Sequence, residues 1–188
     1  MPSTSESGLR EKWGIPNNAT LVLGCGTGDG RKGLDLFVAT ALSTLNRMPD
    51  NSIVFGWLGE MPTYINTEHA FWAVEDVVTA GRQASIRFFG PTDDVAPYFQ
   101  ACDVFFLPSR MDPFPCVVNE AMASGKPIVL FDEGSGCVDI VAPEGGAAVP
   151  YGDVASATES LCKLANDPKQ RERMGTRNRQ YVAEQMQF

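Results

Sequence analysis

The amino-acid sequence predicts a single Rossmann-like α/β domain, a doubly wound parallel sheet with helices on both faces. Three observations predict this fold class: short, almost wholly apolar runs recur along the chain, amphipathic segments with helical spacing separate them, and 188 residues suit one domain with a sizeable core. Short apolar runs are typical of parallel strands that are covered on both faces. Because ligands of such sheets bind beyond the carboxyl ends of the strands, a functional site is expected in the loops that follow them.

Five apolar runs predict the strands in chain order. They are rich in Val, Ile, Leu and Phe, and they cover residues 21–23, 53–58, 86–89, 104–107 and 128–131. An amphipathic helix is predicted between the first two runs, with an apolar face formed by Leu34, Phe37, Val38, Ala41, Leu42 and Leu45. Strand and helix alternate in this way along the chain, which implies right-handed crossovers between parallel strands.

Three further helices are predicted from apolar spacing and capping residues. The first lies behind candidate caps at Asp93 or Asp94 and has an apolar face formed by Val95, Tyr98, Phe99 and Cys102. The second is capped by Asp153. The last starts at Asp167-Pro168, with the proline at the first helical position, where its missing N–H costs nothing.

Composition limits the classes of function. Fifteen Lys and Arg against 23 Asp and Glu give a formal charge of −8, which disfavours sequence-independent nucleic-acid binding. No apolar run approaches the about 18–20 residues that span a bilayer. Five widely spaced cysteines without a C-x-x-C pair are expected to be reduced, and no export signal is recognisable, so we expect a cytoplasmic protein. Residues 1–7 are expected to be a linker or a cloning remnant, and residues 8–188 the domain.

A glycine-rich loop with the sequence GCGTGDGRKG, residues 24–33, follows the first strand. Its glycines let backbone N–H groups approach an anion where a helix begins. The spacing matches a dinucleotide fingerprint weakly, and it fails as a nucleoside-triphosphate loop because Gly33, and not Ser or Thr, follows Lys32. Residues 23–28 also resemble the first motif of S-adenosylmethionine-dependent methyltransferases, although the acidic residue after the second strand comes later than expected. A glycine-rich turn without a ligand is a further alternative.

A second motif, after the fourth strand, favours a different function. Residues 108–127 have the sequence PSRMDPFPCVVNEAMASGKP. This segment resembles the donor-binding signature of family 4 retaining glycosyltransferases of the GT-B architecture, which has the form P-S-x-x-E-P-F-G followed by a helix with a second Glu and by E-A-M-A-x-G-x-P. Asp112 and Glu120 hold the two acidic positions of that signature.

Further segments resemble motifs of the same family and occur in the same order. They are the entry LREKWGIP (9–16), the helix start RKGLDL (31–36), Gly90, Asp103, the segment GSGCVDIV (134–141) and the closing segment 143–175. The resemblance extends from about residue 8 to the end of the chain. Several ordered motifs make it a specific match.

The resemblance implies the nucleotide-sugar-binding half of a two-domain glycosyltransferase that needs no metal. Lys32 would contact the diphosphate, Glu120 the ribose hydroxyls and Asp112 the sugar hydroxyls, and these three residues would carry the reaction. A carboxylate suits a cis-diol because it accepts two hydroxyl donors, and an ammonium offsets phosphate charge. The other donor contacts would come from Gly26, Thr27, Phe89, Gly90, Phe114, Cys116 and Val117, with the base near Phe89 and Gly90.

The resemblance also implies partners. The donor would be a UDP-, GDP- or ADP-sugar, an N-terminal acceptor-binding domain would complete the enzyme, and no nucleic acid would bind. Peripheral membrane association of the full-length enzyme remains compatible with this assignment.

Three ligand-facing positions depart from the family pattern. Thr27 stands where the family usually has an Arg that pairs with the diphosphate, Asp112 is one methylene shorter than Glu, and Pro115 lacks a backbone N–H. Simpler roles stay open as well. Lys32 could be a solvated residue, Asp112 a turn or cap residue, and Glu120 a solvent-exposed residue on its helix. The alternative functions are a non-catalytic nucleotide-binding module descended from a transferase and an S-adenosylmethionine-dependent methyltransferase-like domain.

Overall fold

The computed structural model describes residues 6–50, 52–61, 68–142 and 144–185, and it has the expected α/β architecture. All pairings between its strands are parallel, and the strand order is β3-β2-β1-β4-β5-β6. The strands are β1 (Thr20–Cys25), β2 (Ile53–Leu58), β3 (Ile86–Gly90), β4 (Val104–Leu107), β5 (Ile128–Phe131) and β6 (Gly146–Val149). This order is that of the doubly wound nucleotide-binding folds, so the fold class is confirmed.

Helices cover both faces of the sheet. They are α1 (Glu6–Lys12), α2 (Leu34–Arg47), α3 (Glu68–Thr79), α4 (Ala96–Ala101), α5 (Cys116–Ala123), α6 (Val138–Val141), α7 (Val154–Asn166) and α8 (Pro168–Gln185). Apolar residues of α2, α3 and α7 pack on one face of the sheet, and those of α4, α5 and α6 pack on the other. None of the helices in the described ranges has the length and apolar character needed to span a membrane.

Alternating strand residues supply the two halves of the core. In β4, Val104 and Phe106 belong to the α2 side, whereas Phe105 and Leu107 belong to the α5 side, and all four are at most 1% exposed. A strand with both faces buried needs apolar residues at every position, because successive side chains point to opposite faces. The continuous apolar runs of the sequence therefore have a direct structural cause.

The sixth strand, β6, is the element that the apolar runs do not reveal. Its sequence, GAAV, is short and contains mostly small residues, with Val149 as its one β-branched side chain, so it lacks the apolar run that marks the other strands. Pairing with β5 organises it: a Cβ atom at Gly146 would lie 1.9 Å from the carbonyl oxygen of Ile128. The close approach of two backbones explains why a small residue begins this edge strand.

The expected cap of α7 is confirmed, the expected start of α8 is confirmed, and the expected cap of α4 is wrong. Asp153 accepts a hydrogen bond from the Ser156 N–H at 3.0 Å and caps α7. Asp167 accepts one from the Gln170 N–H at 2.8 Å ahead of α8, which begins at Pro168 as expected. Neither Asp93 nor Asp94 caps α4, because the helix begins later, with Val95 at the cap position and no side-chain bond there.

The N-terminal helix is attached to the domain by Arg10. Its buried guanidinium donates to the carbonyl oxygens of Ala101 at 3.0 Å and Ala19 at 2.9 Å and pairs with Asp103. Asp103 also accepts the Leu21 N–H at 2.7 Å, so the arginine links α1 to the starts of β1 and β4. Helix α1 begins at Glu6, inside the expected linker 1–7, of which residues 1–5 lie outside the described ranges.

The last helix, α8, crosses α5 at very short range. A Cβ atom at Gly175 would lie 2.0 Å from the carbonyl oxygen of Gly125. One turn later, the fully buried Asn178 donates to the carbonyl oxygens of Lys126 at 2.8 Å and Gly145 at 2.7 Å. A helix with few apolar residues can therefore dock here, because a glycine permits the approach and an asparagine satisfies two carbonyl groups.

We predict that Gly175→Ala destabilises the domain. Alanine favours a helix by about 1 kcal/mol over glycine, but its methyl group would collide with a backbone oxygen, and overpacking costs about 1–3 kcal/mol. The net free energy of unfolding should fall by about 1–2 kcal/mol in urea titrations, by the balance of the same two effects. Thr176→Ala, at an exposed neighbouring position, is the control and should leave stability unchanged or slightly raised. Equal stability of the two variants would contradict the close helix crossing.

Candidate functional site

The candidate site lies where the strand order changes direction. Strands β1 and β4 are neighbours in the sheet, but the helices that follow them, α2 and α5, pack on opposite faces. The β1–α2 loop (26–33) and the β4–α5 loop (108–115) therefore leave a crevice between them at the carboxyl ends of the strands. Open α/β sheets bind ligands at this topological switch point.

Backbone contacts hold the two loops together. Gly33 has a φ of 74°, and a Cβ atom there would lie 2.1 Å from the carbonyl oxygen of Pro108, so both the conformation and the space require glycine. The Arg110 N–H donates to the Arg31 carbonyl oxygen at 2.8 Å. The loops thus contact each other directly through their main chains.

Arg110 reinforces this contact with its side chain. Its guanidinium donates to the Gly30 carbonyl oxygen at 2.7 Å and to both carboxylate oxygens of Asp35, at 2.8 and 2.7 Å. Burial opposes ionisation of Asp35, but the hydrogen bonds and charge of Arg110 lower the pKa of that carboxyl below its ordinary value. The hydrogen bond to Asp35 in turn raises the pKa of Arg110. A bidentate pair of this kind fixes orientation as well as distance.

A third loop, between β5 and α6, supports the β4–α5 loop. Cβ atoms at Gly134 and Gly136 would lie 2.1 and 2.0 Å from the carbonyl oxygens of Ser109 and Pro113. The Asp112 N–H donates to the Gly134 carbonyl oxygen at 2.9 Å, and Asp112 forms a short parallel bridge with Ser135. Asp112 is therefore held from its backbone side by the neighbouring loop.

An ion pair between Lys32 and Asp112 closes the crevice. The Lys32 Nζ lies 2.6 Å from the Asp112 Oδ2, and the two side chains are only 16% and 10% exposed. Lys32 is thus not a solvated helix residue. Asp112 does not cap α5 either, because Pro115 occupies the cap position of that helix.

Glu120 lies on α5, the helix that follows the β4–α5 loop. Its side chain is exposed, although partial burial raises its pKa. Burial raises the pKa of Cys25, at the end of β1, to about 11, with a further increase from the charge of Glu120 and a decrease from the charge of Lys32. The charges of Lys32 and Glu120 thus both act on the end of β1, and of the three residues that the sequence singled out for catalysis the structure pairs Lys32 directly with Asp112.

The glycine-rich loop uses several of its N–H groups internally. The Gly26 N–H donates to the Leu58 carbonyl oxygen at 2.9 Å, and the Gly28 N–H donates to the Glu60 carbonyl oxygen at 2.8 Å. The Gly26 carbonyl oxygen accepts the Trp57 Nε1–H at 3.1 Å. These bonds join the loop to the end of β2, so fewer free amides face the crevice than alternating glycines alone suggest.

Asp29 occupies a central position in the same loop. Its Oδ1 accepts the Lys32 N–H at 2.9 Å, and its Oδ2 accepts the hydroxyl of the exposed Thr27 at 2.8 Å. Partial burial raises the pKa of Asp29, but the hydrogen bonds from Lys32 and Thr27 and the charge of Arg31 lower it overall. The carboxylate is therefore ionised and bonded to groups that a bound anion would use.

Phe89 and Gly90 lie farther along the sheet, at the end of β3. The half-buried Phe89 ring packs against Trp13 at a centroid distance of 4.5 Å and against Tyr98 at 5.5 Å. The Gly90 carbonyl oxygen accepts the Gly59 N–H at 3.0 Å. Phe89 thus has a packing role in the structure, and base binding at this edge stays a prediction.

The start of α5 forms an apolar rim on the crevice. Phe114 is 57% exposed, Cys116 is exposed at the first position of the helix, and Val117 is half-buried. Met111, at 64% exposure, extends the same rim. Large exposed apolar residues beside a polar crevice are a feature of ligand-binding surfaces.

Four residues that organise the site are absent from the set that the sequence singled out. They are Asp29, Arg31, Asp35 and Arg110. The pairing of Arg110 with Asp35 has no local signal, because 75 residues separate the partners. Asp29 does have one, since an aspartate three residues before an N–H near a helix start is a typical capping arrangement. Among the described residues, no cluster of His, Cys, Asp or Glu side chains is arranged to hold a metal ion.

Comparison with known proteins identifies a consistent group of relatives. The family model described as "Glycosyl transferases group 1" matches residues 6–181. The lipopolysaccharide core biosynthesis mannosyltransferase LpcC of Rhizobium leguminosarum bv. viciae is 29% identical over 171 residues, which are 89% of this chain and 46% of that protein. The D-inositol 3-phosphate glycosyltransferase of Corynebacterium diphtheriae is 28% identical over 165 residues, 86% of this chain and 38% of that protein. The chain thus covers less than half the length of either relative.

Solved structures show the same fold. The C-terminal domain of the group 1 glycosyl transferase LpcC from Francisella tularensis has a TM-score of 0.84 at 22% identity and covers all of this chain and 95% of that one. Anabaena HepE, solved with UDP and glucose, has a TM-score of 0.81 at 18% identity over 98% of this chain and 48% of that one. At these identities the likeness concerns the fold.

We predict that Lys32 and Asp112 are energetically coupled in the absence of any ligand. In a double-mutant cycle of Lys32→Met and Asp112→Asn, unfolding in urea should give a coupling free energy of about 1–3 kcal/mol, because each single variant leaves a mostly buried partner unpaired. The control cycle combines Lys32→Met with Asp50→Asn, a position just before the amino end of β2. The effects of these two substitutions on the free energy of unfolding should be additive. Additivity in both cycles would show that the pair contributes nothing in solution.

Proposed function

Because the chain belongs to the glycosyl transferases group 1 family, we propose that it binds a nucleotide-sugar donor for retaining glycosyl transfer, as the C-terminal half of a two-domain enzyme of the family 4 type. One observation carries this proposal. The mostly buried ammonium of Lys32 pairs with the carboxylate of Asp112 at the switch point of the sheet, and a second carboxylate, that of Glu120, lies on the helix that follows the β4–α5 loop. This set matches the chemical groups of such a donor: a diphosphate, a ribose and a sugar.

Lys32 and Asp112 exchange partners when the donor binds. The ammonium of Lys32 leaves Asp112 and binds the diphosphate. The sugar hydroxyls then donate hydrogen bonds to the carboxylate of Asp112. An ion pair that is already mostly desolvated loses less hydration in this exchange than two separate solvated groups would. The preformed pair therefore keeps both functional groups in place until the donor replaces the contacts that it breaks.

During transfer, Lys32 stabilises the leaving diphosphate. Negative charge grows on the diphosphate as its bond to the sugar breaks, and a positioned cation in a water-poor crevice lowers the barrier most where charge develops. Glu120 holds the ribose through two hydroxyl donors, and the rim formed by Phe114, Cys116 and Val117 borders the donor. Gly26 and Thr27 contact it from the opposite loop, Phe89 and Gly90 lie at the base end, and no metal is required.

The acceptor is bound by a second domain. Relatives of this chain are about twice as long or longer, which supports the existence of a partner domain in the full-length enzyme. The complex of the structural neighbour HepE with UDP and glucose supports a donor built on a nucleoside diphosphate. We place the full-length enzyme in the cytoplasm, free or associated peripherally with a membrane.

Two other functions make different predictions. A non-catalytic nucleotide-binding module is favoured by Thr27 and Pro115, which remove a cation and an N–H donor from the site, and it would bind nucleotides without transferring sugar in the full-length protein. A methyltransferase-like domain would be stabilised by S-adenosylmethionine and not by nucleoside diphosphates. The comparisons bring no support for a methyltransferase.

We predict that donor binding protects Cys116 from alkylation. Cys25, Cys102 and Cys137 are buried, and burial raises the pKa of Cys102 to about 12, so these thiols should react slowly with iodoacetamide. Cys116 is exposed on the rim and should react first. A saturating nucleotide sugar from a panel of UDP-, GDP- and ADP-sugars should slow its alkylation at least several-fold, as followed by mass spectrometry.

Cys162 provides an internal control for this experiment. It is half-buried on α7, away from the crevice, and its rate should not change with ligand. If no nucleotide sugar protects Cys116 although one binds by calorimetry, the donor lies elsewhere on the domain.

We predict that Glu120→Ala weakens nucleoside diphosphate binding by about 1.5–3 kcal/mol, the range for hydrogen bonds to a charged group, and that Glu120→Gln weakens it less. Isothermal titration with UDP, GDP and ADP measures the effect. Glu159→Ala, an exposed glutamate on α7, is the matched control and should bind as the unmodified chain does. Unchanged affinity in Glu120→Ala would remove the ribose assignment.

A further inference from the structure

Asp29 already occupies the anion-binding groups of the glycine-rich loop. Its carboxylate accepts the Lys32 N–H at 2.9 Å and the Thr27 hydroxyl at 2.8 Å. Lys32 itself folds back over the loop, since a Cβ atom at Gly26 would lie 3.0 Å from its Cγ. A phosphate bound by Lys32 would therefore lie close to a fixed negative charge.

No cation forms an ion pair with Asp29 in the part of the chain that the structure describes. The Lys32 ammonium is paired with Asp112, and the Arg31 guanidinium, on an exposed side chain, donates to the Met111 carbonyl oxygen at 3.3 Å. Thr27 adds no charge where an arginine would. The carboxylate of Asp29 therefore repels each added negative charge on a phosphate bound at this loop, although the charge of Arg31 offsets part of that repulsion.

Donor and product of the proposed reaction differ in charge. In the intact nucleotide sugar each phosphate carries one negative charge, because the sugar esterifies the terminal phosphate. Transfer breaks the bond between the anomeric carbon and the phosphate oxygen, and that oxygen stays on the diphosphate. The anomeric carbon bonds to the acceptor oxygen, whose proton passes to the leaving phosphate. A terminal phosphate has a second pKa near about 6, so at pH 8 this proton is lost to water and the product carries one more charge than the donor.

We propose that Asp29 is a specificity-determining residue that disfavours the more highly charged nucleoside diphosphate relative to the intact nucleotide sugar, and so promotes product release. The inference rests on the proposed donor-binding function. It assigns Asp29 a role through charge, in addition to its structural hydrogen bonds. Asparagine at this position keeps the shape and an acceptor oxygen but removes the charge.

The test compares affinities for ligands of increasing charge at pH 8. The ligands are the monophosphate, diphosphate, triphosphate and one nucleotide sugar of the base that binds, chosen from uridine, guanosine and adenosine. A unit charge within about 7 Å of a half-exposed carboxylate changes affinity by roughly fivefold. In Asp29→Asn the diphosphate should therefore gain roughly fivefold in affinity over the nucleotide sugar, and the triphosphate more.

Two further variants separate charge from loop support. Asp29→Ser also lacks the charge and should change the ratio of diphosphate to nucleotide-sugar affinity in the same direction. Asp50→Asn is the matched control, because Asp50 accepts the N–H and hydroxyl of Ser52 in a similar turn. This turn lies before the amino end of β2, away from the candidate site. This control should leave every affinity unchanged.

The outcomes distinguish this inference from the proposed function. If Asp29→Asn and Asp29→Ser change the affinities for all ligands by one common factor, or lower the affinity for the diphosphate relative to the nucleotide sugar, Asp29 only supports the loop. The inference is then wrong, while donor binding stands. If neither the unmodified chain nor these variants bind any of the nucleotides or nucleotide sugars, the proposed function fails together with the inference. Thermal unfolding of each variant confirms that the fold is intact before affinities are compared.

Discussion

The contact between the main chains of two loops, Gly33 against the carbonyl oxygen of Pro108, is the constraint on which the site depends. No other residue could hold both the left-handed conformation of Gly33 and this close approach. The contact holds together the loops that follow β1 and β4, two neighbouring strands whose helices pack on opposite faces of the sheet. The bidentate pair of Arg110 and Asp35 then fixes the loops in orientation.

The positions of the charged groups depend on this arrangement of the loops. Asp112 is held through its backbone by the β5–α6 loop, so its carboxylate reaches Lys32 across the crevice. Glu120 lies on α5, which begins at the end of the β4–α5 loop that contains Asp112. Contacts between loops of this kind preorganise the side chains that the loops carry, and preorganisation in general lowers the entropic cost of binding.

Local sequence patterns predicted most of the fold for a clear physical reason. The five predicted strands are short apolar runs, with the charged Arg87 in β3 as an exception, and Asp153 and Asp167 stand directly before helices, so these signals are local. β6 lacks such a signal because its small residues allow a close approach to β5 and carry little preference of their own. The cap of α4 was misplaced because an aspartate before a helix can belong to a preceding turn, as Asp94 does with Thr92.

The sequence by itself determined the class of the sheet, the chain order of five of its six strands and the identity of the ionisable residues in the loops that follow the strands. Those properties depend on the type and spacing of side chains that are close together in the sequence. Only the tertiary structure decided which of these residues pair. Lys32 meets Asp112, and Arg110 meets Asp35, across 80 and 75 residues of chain. It also decided that Asp29 and the carbonyl groups of β2 occupy N–H groups of the glycine-rich loop. Such partners depend on which strands become neighbours in the sheet, and the local sequence around a residue does not specify that arrangement.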